Sequence, residues 1–357
     1  MLRADYLPTA SEEWYKFYQP RRLMKRIDFS KLRKGDILLT TSTHPQSKVI
    51  RTFTKSDISH AMLYVANGSV MDSTGEGVHA RNLQRQIYDD GCAIYAYRAK
   101  ATIDPETMNQ IIDYVRSETG APYAILDAMR SPLKPDRKGS AAQFCSRLVA
   151  RAYFNAGFPL TDNPDYATPA DLQRSERLES IPDVVLHVTA EEKAELEAGD
   201  SVNGMREVTN DLLKRVRVIS PPIRVLNDIY PFLLANPSFD AAIAEAHRAS
   251  GFLDYWKVEV ARHPYRYDPV EMVRFYQSTA QKGELLEYCR TTLEDDAANA
   301  FAHWQVNLDA CSALLEMKPL ETFRLNRDLY ATLCFNHERR VKTARMLVSV
   351  YGGRAGT

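Results

Sequence analysis

Residues 59–72 read SHAMLYVANGSVMD. Two β-rich runs, HAMLYVA and SVMDS, flank Asn67-Gly68, a pair favoured in the tight turn of a β-hairpin. His60 opens the first run and shares a face with Met62 and Tyr64, because side chains alternate along a strand. Asp72 returns on the second run, and the turn decides which face it takes. A two-residue Asn67-Gly68 loop pairs Val65 with Val70 and Leu63 with Asp72. That turns Asp72 away from His60 and makes Ser73 the better partner. A three-residue loop, Ala66 to Gly68, pairs Met62 with Asp72 and brings Asp72 onto the face of His60. Such loops favour a left-handed residue at their end, where Gly68 stands. The three-residue loop is the expectation.

Further along, residues 144–157 read FCSRLVARAYFNAG. Leu148, Val149, Ala152 and Tyr153 make one apolar helical face, Gly157 is a stop, and Cys145 falls at or near the helix start. A thiol in a first turn feels the positive end of the helix dipole, which lowers its pKa. An imidazole beside it holds the thiolate as an ion pair, and a polar residue next to that imidazole orients it. Around these segments, DILLTT (36–41) and AIYAYR (93–98) read as further strands. Residues 104–120 read as a helix with Asp104 as N-cap, Pro105 at its first position, a stripe of Met108, Ile111, Ile112 and Val115, and Gly120 as its stop. Beyond about residue 188 the chain turns helical. Thr189 with Glu192 predicts a capping box, and Asp268-Pro269 opens another helix. The charged run EEKAELEAGDSVNG (191–204) separates the halves. The fold class is therefore α+β: an antiparallel sheet packed on helices, followed by an all-α C-terminal domain. The expected divisions are a strap at 1–29, a sheet-bearing domain at 30–188 and a helical domain at 200–357.

Composition narrows the function classes. The chain has 357 residues, 46 Lys+Arg against 46 Asp+Glu, and no formal net charge. Nucleic-acid affinity comes from neutralising phosphates, so a nucleic-acid partner is not expected. No run approaches the roughly 20 apolar residues that cross a bilayer, and the first residues lack the apolar core of a secretory signal. The five cysteines are widely spaced with no CxxC pair, which argues against a disulfide framework or a zinc site. These features predict a cytoplasmic protein, or one delivered to another cell by a dedicated secretion machine. Residues 14–26, WYKFYQPRRLMKR, interleave aromatic and basic residues and offer a contact for an anionic membrane surface. Packing through Trp14 and Phe17 is the simpler expectation, because Pro20 interrupts a long amphipathic helix.

GDILLTT, SHAMLYV, the acid twelve residues after His60, GAPY (120–123) and FCSRLVARAY, in that order, resemble the permuted NlpC-type, papain-like hydrolases. The YiiX-like bacterial proteins are the closest form, and the lecithin:retinol acyltransferase-like enzymes are cousins. The resemblance covers roughly residues 30–180. In the unpermuted enzymes the Cys helix precedes the His strand; here His60 and Asp72 come first and Cys145 last. The resemblance implies a papain-like catalytic domain with Cys145 as nucleophile, His60 as general base and Asp72 as orienting residue. The third position varies in such families. Tyr123 matches a Tyr that precedes the Cys helix; its hydroxyl would either help bind an oxyanion or only pack the turn. The Asp that often follows that Tyr is Ala124 here. No metal or cofactor is implied. Cys92, Cys289, Cys311 and Cys334 read as small buried hydrophobes, and His79 is the one further histidine expected near the cleft.

Three functions fit this reading. The first is a lipid acyl hydrolase or acyltransferase, phospholipase-like, with an antibacterial effector as its setting. The second is an amidase or peptidase acting on peptide or cell-wall stem-peptide amides. The third is an inactive binding protein whose helical domain docks a protein partner.

Overall fold

The computed structural model describes residues 24–41, 51–52, 56–121, 144–189, 192 and 201–353. Nine strands form two antiparallel sheets in that span. The larger holds six strands: β2 (Ile37–Thr40), β3 (His60–Ala66), β4 (Ser69–Thr74), β5 (Gly77–Asn82), β7 (Ile94–Ala99) and β8 (Leu178–Ile181), in the order β5-β4-β3-β2-β7-β8. The smaller pairs β1 (Met24–Ile27) with β6 (Tyr88–Asp89) and β9 (Val185–Val188). The end of the expected strap is thus a strand, with Lys25 opposite His187 and Ile27 opposite Val185.

Sheet alternation sorts the core. Ile37, Leu39, Ala61, Leu63, Val65 and Met71 face two helices, α1 (Pro105–Ser117) and α2 (Cys145–Asn155). Leu38, Met62, Tyr64, Val70 and Ala96 face the other way and close a second cluster with Ile27 and Leu83. α1 begins as its sequence requires: Asp104 accepts from the Thr107 amide, and Ile111, Ile112 and Val115 are buried. Its last helical residue is Ser117, and Gly120 turns the chain at φ +84. α2 buries Leu148, Val149, Ala152 and Tyr153. The Tyr153 hydroxyl donates to the Gly35 carbonyl at 2.5 Å, tying helix to sheet.

After a short helix, α3 (Pro169–Gln173), and the Thr189–Glu192 capping box, the chain is helical. It runs through α4 (Ser201–Ile219), α5 (Ile229–Ala235), α6 (Asp240–Ala249), α7 (Trp256–Arg262), α8 (Pro269–Ser278), α9 (Lys282–Ala297), α10 (Ala302–Met317) and α11 (Glu321–Tyr351). Asp268 caps α8 as its Asp-Pro start predicts. This half packs on the sheet half. Val225 joins the first core cluster, Arg224 makes a forked ion pair with Glu118 at 2.8 and 3.2 Å, and Leu213 lies against Gly120. No helix among the described residues is long and apolar enough to cross a membrane.

Candidate active site

The β3–β4 hairpin corrects the expected turn while keeping its consequence. β3 runs to Ala66, Ala66 pairs with Ser69, and the turn is the two-residue Asn67-Gly68. Both residues are left-handed, with φ 49 and φ 70, as the tight primed turn requires. A regular ladder from that turn would set Leu63 opposite Asp72. Instead Val65 is an extra residue in β3: the register jumps between Tyr64 and Ala66, so Tyr64 pairs with Val70 and Leu63 with Met71. Continuing that register puts Asp72 opposite Met62, on the face of His60. A β-bulge, not a longer loop, re-aims the strand.

His60 Nε2 lies 3.0 Å from Asp72 Oδ2. Asp72 is 2 % exposed, and the Arg81 guanidinium of β5 grips it from the other side, Nε donating to Oδ1 at 2.7 Å and to Oδ2 at 2.8 Å. Arg81 also donates to the Thr74 hydroxyl at 2.7 Å and to Glu76 at 3.3 Å. Burial alone would raise the pKa of Asp72. The hydrogen bond and charge of His60, with Arg81, outweigh it and hold the carboxyl below its ordinary range.

Cys145 is the first residue of α2 and 3 % exposed. Phe144, the N-cap, has no side chain that bonds the first-turn N–H groups. Burial works to raise the thiol pKa. The charge and hydrogen bond of His60, with the Ala61 and Ser146 amides, outweigh it and lower the pKa. His60 shows the reciprocal effect: burial opposes its charge, but the Cys145 thiolate and the bond to Asp72 raise its pKa to about 10. With Nε2 held by Asp72, Nδ1 is the nitrogen left for the thiol. Charges thus alternate along the line Cys145, His60, Asp72, Arg81.

The surroundings fix this line in place. Arg147, wholly buried in the first turn of α2, donates to the Asp165 carbonyl at 2.7 Å and lies 4.4 Å over the Phe144 ring. Ser146 donates to the Ala167 carbonyl at 2.7 Å. Burial and the nearby Asp72 charge push the Tyr88 hydroxyl pKa up, so it stays protonated. His79, the other histidine expected near the cleft, is directly opposite Asp72 in the β4–β5 ladder. It is buried, and its Nε2 lies 3.1 Å from the Glu76 carbonyl and 3.0 Å from Asn210 of α4. Tyr123 lies outside the described residues. Among those residues, no group of three or more His, Cys, Asp or Glu is placed to hold a metal ion. Arg81 is the member that sequence reasoning missed. Its one signal is period-two spacing from His79 on the strand returning past Asp72.

Residues 31–169 match the family described as permuted papain-like amidase enzymes of the YaeF/YiiX, C92 type. This segment has a YiiX-like permuted papain-like fold. Within it, His60 and Asp72 precede Cys145, the permuted order. A curated relative, the probable lipoprotein peptidase YaeF of Escherichia coli (strain K12), is 25 % identical over 182 residues. That alignment spans 42 % of this chain and 65 % of the relative's length. Among solved structures, the crystal structure of metalloprotein yiiX from Escherichia coli O157:H7 aligns at 19 % identity with a TM-score of 0.34. It covers 42 % of this chain and 97 % of that one. The family match ends at residue 169, so the helical half lies beyond the permuted papain-like segment.

Proposed function

We propose that the chain is a thiol hydrolase that cleaves amide bonds through a thioester acyl-enzyme. The observation that carries this reading is the Cys145–His60–Asp72 line: a thiol at a helix start, an imidazole beside it, and a buried carboxylate 3.0 Å from the imidazole Nε2. The Cys145 thiolate attacks the substrate carbonyl carbon. The C–N bond breaks as imidazolium His60 gives its proton to the leaving amine. Water then attacks the thioester; His60 takes its proton, the acid leaves and the thiolate returns. Donors at the start of α2 are suited to the developing oxyanion. Amides are preferred over lipid esters because the matching family is described as amidase and the curated relative as a peptidase. The lipid reading had the aromatic-basic segment 14–26 as its chain-specific feature. Residues 14–23 of that segment lie outside the described residues, and Met24–Arg26 pair in a strand.

The test offers wild type and Cys145→Ala the same panel of peptides, lipopeptides and phospholipid vesicles, read by mass spectrometry of products and intact protein. Amine release, with an acyl adduct on Cys145 in wild type only, is the expected result. Fatty acid released from vesicles with every amide left intact would overturn the amide assignment. Turnover retained in Cys145→Ala would overturn the thiol mechanism.

A further inference from the structure

Arg81 and Asp72 sit at the vulnerable side of the sheet. β5, which carries Arg81, is the last strand of the order β5-β4-β3-β2-β7-β8. An edge strand is secured on one side only unless something covers the other. Here the helical half covers it. Arg206 of α4 pairs with Glu76 at 3.1 Å, and Glu76 in turn pairs with Arg81. Asn210, one helical turn on, meets His79. Arg217, at the far end of α4, donates to the Gly120 carbonyl at 2.7 Å. Gly120 and Ala121 bond the edge of β5 through Val78. At the opposite turn of the meander, Asn67 donates to Asp295 of α9. The helical half therefore holds both turns of the three-strand meander that carries His60, Asp72 and Arg81.

We propose that the helical half is a positioning element of the thiol site: through Arg206–Glu76 and Asn210–His79 it fixes β5, so that Arg81 keeps Asp72 against His60. The proposal rests on the thiol-hydrolase reading and gives the helical half a task within it. Arg206, Asn210 and Glu76 are positioning residues, since none touches the reacting atoms. The charged and titratable groups facing Asp72 are His60 from β3, His79 and Arg81 from β5 and Tyr88 from β6. Those facing Glu76 are Arg81 and Arg206. Loss of Arg206 leaves Glu76 held by Arg81 alone and loosens the Thr74–Gly77 turn. Arg81 and Asp72 then sample poorer geometry, and the imidazolium that stabilises the thiolate is held less well.

The test needs no substrate. The rate of Cys145 alkylation by iodoacetamide is followed against pH by peptide mass spectrometry on the full chain, with thermal unfolding recorded for each variant. In Arg206→Ala and Asn210→Ala the acid limb should move up by half a unit to one unit, so alkylation on the acid side of the limb slows about three- to tenfold. Arg206→Lys should recover most of that loss. Glu76→Gln, an isosteric change at a half-exposed side chain, should act in the same direction and guards against misfolding. Unmoved limbs in Arg206→Ala, Asn210→Ala and Glu76→Gln, beside a moved limb in Asp72→Asn, would overturn the positioning role and leave the site intact. Should neither Asp72→Asn nor His60→Ala move the limb, the thiol-site reading itself fails, and the positioning role with it.

Discussion

Asp72→Asn removes one charge with almost no change in shape, and its cost can be worked from the contacts. Asp72 is buried and accepts two bonds from Arg81 Nε and one from His60. Removing one partner of a buried pair costs about 3–5 kcal/mol, largely because the other charge is stranded. Arg81 is 19 % exposed and keeps Thr74 and Glu76, so the low end applies, about 3 kcal/mol. Unfolding entropy near 2.1 cal/mol/K per residue converts that to roughly 4 °C if all 357 residues unfold together. The drop is roughly 10 °C if a unit of about 150 residues unfolds alone, so the size of the shift also reports cooperativity. The pH dependence has a definite sign. Asp72 is depressed in the folded state, so its contribution is present above its ordinary value of 3.8 and is lost as pH falls through the folded pKa. Melting curves of wild type and Asp72→Asn should run parallel from neutral pH down to about 4, then converge. The pKa of His60 should fall by about one unit in the variant, because an opposite charge at bonding distance is worth about 1–3 units. The acid limb of Cys145 alkylation should rise only as the imidazolium, no longer held by a carboxylate, stabilises the thiolate less. Equal melting temperatures at neutral pH, or a gap constant to the acid end of the titration, would refute the reasoning.

Other outcomes follow from the same geometry. Burial pushes Cys92, Cys311 and Cys334 up and Cys289 to about 11, so limited alkylation at pH 6 should label Cys145 first; peptide mapping checks this. The pKa of His60 is raised to about 10, so its contribution is full below 6.5 and is lost as pH rises through 10. The stability gap between wild type and His60→Ala should therefore narrow from neutral pH toward pH 10. A Cβ on Gly120, at φ +84, would lie 2.0 Å from Leu213 Cδ1. Gly120→Ala should cost about 1–3 kcal/mol, and less in a Leu213→Ala background; denaturant unfolding of the double-mutant cycle measures the difference.

Much of the architecture was legible because short-range chemistry specifies it. Asp104 and Pro105 start α1, Asp268 starts α8, and Gly157 follows the end of α2 for reasons that need no tertiary contact. The four short β-rich runs bounded by turn residues were readable as strands. Gly77–Asn82 was not, since GVHARN lacks an apolar period, and its role came from what it lies beside. β1 hid in a basic segment because its pairing with β9 joins residues more than 150 positions apart.

For the site, local sequence carried Cys145 to a helix start and His60 to a strand start, because helix dipoles and strand alternation are near-neighbour effects. The side of the sheet taken by Asp72 was not readable in that way. Two residues, Asn67 and Gly68, made a tight turn legible, but the Val65 bulge that reverses its consequence depends on how β3 packs between β2, β4 and α2. Arg81, Glu76 and Arg206 belong to that same long-range class. A lone arginine or glutamate carries little sequence signal, and its meaning arises when folding brings an edge strand, a carboxylate and a distant helix together in a space where a buried charge must find a partner.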